Sequence, residues 1–141
     1  VKYAAGPLAV GYGYQEEKTA GVTSNKYNAL SGAYNFGMAA VSAGYQTRTG
    51  TAASGDDTGY TLGVNMPVSA AINVSLGYAN EDTEIAGVKV AKNSGWALGA
   101  GYSLSKRSTL FAGFQNVKQE NAAGTEVGKQ NIVAMGLRHN F

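Results

Sequence analysis

The chain has no cysteine, only two prolines and one histidine among its 141 residues, and charged side chains make up just 14% of it. Each shortage removes a class of protein. Without cysteine there is neither a disulfide scaffold nor a thiolate metal site, although the compartment stays open. A lone imidazole, His139, cannot supply a His-based metal cluster, and any Ser-His-Asp arrangement would have to use it. Lys and Arg number 11 against 9 Asp and Glu, so the net charge is only +2, with no concentrated basic patch. Nucleic-acid binders carry such a patch, and no nucleic-acid partner is expected. No apolar run approaches the roughly 18 residues of a membrane helix, and no segment repeats with a helical period. The opening VKYAAGPL lacks a basic start followed by a long apolar stretch and begins inside a strand-like pattern, so the expectation is the later part of a longer chain.

What is abundant is glycine, with 20 residues, and tyrosine, with 9. Both fall into one rhythm. In GWALGAGYSL, Trp96, Leu98, Ala100, Tyr102 and Leu104 alternate with Ala97, Gly99, Gly101 and Ser103. The same period of two runs through Leu8 to Gln15, Ala29 to Phe36, Ala39 to Gln46, Tyr60 to Met66, Ile72 to Ala79, Leu110 to Gln115 and Val133 to Phe141. That period is a strand signal. It predicts a short first strand over residues 1–4 and eight full strands, an all-β chain with a single segment from 1 to 141.

An ordinary half-buried strand alternates apolar with large polar residues, but here the second face is nearly bare. A soluble sandwich or lipocalin-like barrel would line its interior with Leu, Ile and Phe, and Gly, Ala, Ser and Asn are too small to fill a core. They suit the wall of an open lumen. The greasy face then meets lipid, with Tyr and Trp near strand ends at the headgroup level. Tight joins at 5–7, 35–37, 67–69 and 105–107 alternate with polar segments at 17–26, 48–58, 80–93 and 118–129, which predicts short turns at one end and long loops at the other. The expected architecture is an antiparallel transmembrane β-barrel.

The last residues, QNIVAMGLRHNF, resemble the C-terminal strand of Gram-negative outer-membrane proteins, which ends in Phe after alternating apolar positions. Those positions are Phe141, Leu137, Met135 and Val133, with His139 a weaker member. Together with YNFG (34–37) and LGAGYSLSKRSTLFAGF (98–114), the chain resembles a general diffusion porin of the β-proteobacterial type. The resemblance implies a sixteen-stranded barrel assembling as a homotrimer in outer-membrane lipid, of which this chain is the C-terminal half. It also implies recognition of the last strand by the barrel-assembly machinery. The missing N-terminal half would hold the constriction loop.

If the parity holds, Lys2, Arg48 and Arg138 point into the lumen, among Gln15, Gln46, Asn65, Asn73 and Gln115. A charge on the lipid face costs ~2–4 kcal/mol at the midplane and little at an interface, which places Arg138 inward more firmly than Lys2 or Arg48. The basic excess predicts a weak anion preference; the other reading of each Arg is a structural partner to a carboxylate. Trp96 and Tyr102 are expected at the membrane interfaces. Gly11-Tyr12-Gly13 and Gly99-Ala100-Gly101 complete no nucleotide-binding fingerprint, and Asp56 with Asp57 lacks the EF-hand spacing. No cofactor, metal or catalytic step is expected. The expected function is a passive channel for small hydrophilic solutes and ions. A small closed structural or adhesive barrel with partner-binding loops is the alternative, and an embedded enzyme a distant third.

Overall fold

The computed structural model describes residues 1–20, 22–51 and 55–141, and it contains one antiparallel sheet of nine strands. They are β1 (Lys2–Ala5), β2 (Leu8–Thr19), β3 (Val22–Asn35), β4 (Ala40–Thr49), β5 (Asp56–Pro67), β6 (Ile72–Ile85), β7 (Val88–Ser103), β8 (Ser108–Asn121) and β9 (Glu126–His139). Each strand pairs only with its neighbours in sequence, so the order is a simple meander with β1 and β9 at its edges. The short first strand and the eight full ones agree with the alternation in the sequence.

We call the end carrying the connections 6–7, 36–39, 68–71 and 104–107 the lower end, and the opposite one the upper end. Lower turns are held by side chains that mimic the backbone. Ser69 Oγ accepts from the amides of Ala71 and Ile72 at 3.2 and 3.1 Å, and Ser105 Oγ repeats the device with Arg107 and Ser108. The upper connections differ from expectation. Within the segments 17–26, 80–93 and 118–129 most described residues are paired strand rather than loop, and 48–58 is paired at both flanks. Within those expected loops, Gly21 and residues 52–54 lie outside the described residues. Their charged composition hid the strands because polar residues here occupy both faces at once.

Among the described residues no apolar side chain is buried, and Asn80 is the one buried polar residue. A single sheet with two exposed faces cannot hold itself together in water, since folded domains need at least two packed layers. Its stability has to come from a medium on one side and from closure with further strands.

Glycine and hydroxyl residues interlock on one face. Gly44 pairs with Thr61, Gly63 with Ser42, and Gly99 with Ser75. A methyl group built on any of these glycines would come within 2.7–2.8 Å of the partner's hydroxyl oxygen. The small face is therefore packed at its own scale, each hydroxyl lying over the bare backbone opposite.

The β6–β7 turn places Ala86 (φ 52°) and Gly87 (φ 76°) between the paired Ile85 and Val88. Two positive φ values define the hairpin turn whose twist matches the strands, and Asn-Gly is its preferred sequence. Alanine pays a steric penalty of about 1 kcal/mol in that conformation, which asparagine largely escapes. Ala86→Asn should raise stability by about 1 kcal/mol, measured by urea unfolding from lipid vesicles.

Candidate functional site

The strand register sorts every side chain onto one of two faces. Tyr12 lies opposite Leu30, Leu30 opposite Tyr45 and Tyr45 opposite Tyr60, all on the apolar face. Leu98 with Phe114, and Tyr102 with Leu110, continue it across β7 and β8. The opposite face carries Gly, Ala, Ser, Asn and Gln. It is also the hollow one: a trough of about 460 Å³ is lined by Ser42, Gly63, Asn65, Gly77, Gly99 and Ala134, among others. Larger apolar or aromatic residues on that face include Tyr27 on β3 and Phe111, Val117 and Ile132 on β8 and β9.

Aromatic rings mark the upper border of the apolar face: Tyr14, Tyr45, Tyr60, Tyr78, Trp96 and Phe114. Tyr60 and Tyr78 lie 6.0 Å apart by ring centroids, and Trp96 and Phe114 5.1 Å. This girdle is oblique to the strands. The ladder leads from Tyr14 through Asn28, Thr47, Thr58, Asp82 and Lys92 to Glu120. Phe114 stands six residues below Glu120, a drift of six residues over six strands. At about 3.3 Å per residue and 4.8 Å per strand, a level girdle tilts the strands by about 35°. Membrane barrels tilt theirs by roughly 35–45°.

A second group closes the band below. Tyr34 and Phe36 lie 4.6 Å apart by ring centroids with their planes tilted at 56°, and the His139 ring meets Phe141 edge-on at 4.9 Å while its Nδ1 lies 2.9 Å from Ser108 Oγ. Tyr102 and Leu104 lie at the same border. From Trp96 to Leu104 is eight residues, about 22 Å along the normal at that tilt, close to the ~25 Å apolar band of outer-membrane barrels. Val133, Met135, Leu137, His139 and Phe141 share the apolar face, and Met135 is 79% exposed because β9 has a neighbour on one side only.

The girdle also sorts the hollow face into levels. Gln15, Gln46 and Gln115 each lie one residue above a girdle aromatic: Tyr14, Tyr45 and Phe114. Glu17, Arg48, Asp57 and Glu81 each lie three residues above one: Tyr14, Tyr45, Tyr60 and Tyr78. These charged groups are wired together. Arg48 Nε donates to Asp57 Oδ2 at 2.5 Å and its Nη1 to Asn25 Oδ1 at 3.3 Å. Asn25 Nδ2 and the Tyr27 hydroxyl both donate to Glu17 Oε2, at 3.1 and 3.2 Å. For Arg48, then, the carboxylate partner weighed from the sequence is present. Asp57 is that partner, and Asp56 Oδ1 accepts from the Gly50 amide. No cluster of three or more metal-ligating side chains occurs among the described residues.

Asn65 and Asn73 lie five residues below Tyr60 and Tyr78 and exchange two hydrogen bonds of 2.8 Å. Arg138 lies five residues below Val133, and Lys2 pairs with Gly11, three below Tyr14. Neither cation has an ion pair among the described residues. All eight polar residues singled out in the sequence therefore share the hollow face, Arg48 three residues above the girdle, the glutamines one above, Lys2 three below, and Asn65, Asn73 and Arg138 five below. What sequence reasoning missed were the carboxylates Glu17, Asp57 and Glu81. They sat in segments taken for loops, though their odd spacing from the girdle tyrosines carries the signal.

Comparison with known proteins agrees with this geometry. The model of the Gram-negative porin family matches residues 1–122. Outer membrane porin protein 32 of Delftia acidovorans is 31% identical over the whole chain, which covers 45% of that protein. An outer membrane porin of Bordetella pertussis is 34% identical over 58% of the chain. Among solved structures, a loop-deletion mutant of OmpT, an outer membrane protein of Vibrio cholerae, superposes with a TM-score of 0.83 at 17% identity, over 99% of this chain and 51% of that one. A refined porin structure gives 0.69 at 14% identity, with 60% of it covered. The chain thus spans about half the length of the relatives it matches. With girdles, tilt, band height and family match in agreement, this outer-membrane β-barrel chain belongs to the Gram-negative porin family.

Proposed function

We propose that the hollow face is one side of a water-filled pore, and that the protein is a passive channel for small hydrophilic solutes and ions with no chemical step. The observation that carries the reading is the uncharged middle of that face. Across β4 to β7, between the glutamine level above and the asparagine level below, the wall is Gly, Ala, Ser and Thr with backbone paired across strands, while its reverse side is continuously apolar. Such a wall holds water without binding tightly to anything that passes.

The chain is read as the C-terminal half of a sixteen-stranded barrel that forms homotrimers, with the N-terminal half supplying the remaining strands and the constriction. The resemblance of the last strand and the partial coverage of the relatives support this. So do the open edges at β1 and β9, whereas a small closed adhesive barrel would pair them. The apolar run from Val133 to Phe141 is the surface offered to the assembly machinery. The finer proposal is a weak anion preference. It rests on Lys2 and Arg138, which have no ion pair among the described residues, while Arg48 is held by Asp57. It stays weak because Glu17 and Glu81 stand on the same wall.

Two measurements test these assignments. Single-channel recording of the protein as isolated from its source, across a KCl gradient, should show large ohmic steps and a reversal potential slightly favouring anions. Absence of steps from correctly inserted protein would overturn the channel. For the faces, Ala100→Arg near the midplane of the apolar band should destabilise folding into vesicles by about 2–4 kcal/mol, and Ser42→Arg on the hollow face by under about 1 kcal/mol. Equal penalties would mean that both faces meet the same medium.

A further inference from the structure

The charges of this chain are divided along the strand axis. All nine carboxylates, Glu16, Glu17, Asp56, Asp57, Glu81, Asp82, Glu84, Glu120 and Glu126, lie above the aromatic girdle. Of the 11 Lys and Arg, four lie below: Lys2, Lys106, Arg107 and Arg138. The upper end therefore carries seven cations and nine anions, a formal −2, and the lower end +4, which together give the chain's +2. The hollow face repeats the division. Its upper level holds Glu17, Asp57 and Glu81 against Arg48, a formal −2, and its lower level holds Lys2 and Arg138, a formal +2. No charged side chain of that face lies between them.

The separation is large enough to matter. On β5, Asp57 marks the upper level and Asn65 the level of Arg138, eight residues and about 22 Å apart along the normal for strands tilted by 35°, while Lys2 stands six residues, about 16 Å, below the upper level. The Debye length is about 30 Å at 0.01 M salt, about 10 Å at 0.1 M and about 3 Å at 1 M. In dilute salt each mouth thus holds an ionic atmosphere reaching to the middle of the wall, cations above and anions below. In concentrated salt the atmospheres shrink onto the side chains.

We propose that this wall is bipolar along the channel axis, gathering cations at the upper mouth and anions at the lower one, and that the open channel consequently rectifies at low ionic strength. The inference rests on the channel reading above. When the upper compartment is positive, cations enter from the zone that concentrates them and anions from theirs, and both carriers fill the uncharged middle. Reversing the voltage draws both out of the middle, and conductance falls.

The test is the current–voltage relation of the full-length protein in a planar bilayer, at about 0.01 M and about 1 M KCl. Ala122→Cys in the β8–β9 turn, as the sole cysteine of the protein used, biotinylated and challenged with streptavidin from one side, reports which compartment faces the upper end. The expected result is about twofold larger current with the upper side positive in dilute salt, falling to a ratio of about one in concentrated salt. Lys2→Gln with Arg138→Gln should reduce the asymmetry; so, independently, should Glu17→Gln with Glu81→Gln, and the four together should abolish it. The second pair keeps the test decisive should the first fail to assemble. A symmetric relation in dilute salt, or larger current with the lower side positive, overturns the inference and leaves the channel standing. No conductance from inserted protein removes the channel itself.

Discussion

Everything in this chain follows from the requirement that backbone amides and carbonyls find partners where water cannot reach. In hydrocarbon each unsatisfied group costs several kcal/mol, so a spanning segment must either bond within itself or pair with a neighbour. The absence of long apolar runs excludes the first solution. The chain adopts the second in nine strands, each paired with the strand before or after it in sequence. That arrangement frees the side chains from building a core, and among the described residues none is built.

With no core to fill, each face answers to its own medium. The apolar face needs area against lipid and amphipathic rings at the borders, which Tyr, Trp and Phe provide. The hollow face needs to stay out of the way, and small residues accomplish this. Glycines opposite Ser and Thr keep that wall close-packed while adding no bulk. The charged groups are kept at the ends, where desolvation is slight. Even there, Glu17, Arg48 and Asp57 are tied through Asn25 into one network across β2 to β5 rather than left as separate ions. Isolated exposed pairs contribute little to stability, and charges joined in one network contribute more.

Much of this was legible in the sequence, because a period of two is the same signal in any medium. Trp96 to Leu104 and Val133 to Phe141 announced both strand and face, and the small residues between them distinguished a wall from a core. Strand length was not legible. Above the girdle the outward face also meets water, so Glu81 to Ile85 and Lys118 to Asn121 lose their alternation and resemble loops while remaining paired. The candidate site was half visible for the same reason. Gln15, Gln46 and Asn65 belong to alternating stretches, whereas Glu17, Asp57 and Glu81 acquire their place only once the register counts them from the tyrosines. The Arg48–Asp57 pair joins residues nine apart that face each other across β4 and β5, and composition alone carries no trace of it.

The long outer edge of β9 has a bearing on the chain's life before it reaches lipid. Among the described residues its fourteen positions pair only with β8, which leaves the other edge for a strand outside this chain. In water such an edge recruits any other strand it meets, including the same edge of a second copy. A newly made chain of this kind is therefore a template for aggregation until it is embedded. Delivery to the membrane has to be faster than collision between chains, or the edge has to be escorted. The strand that makes a closed ring possible is, for that interval, the most hazardous part of the molecule.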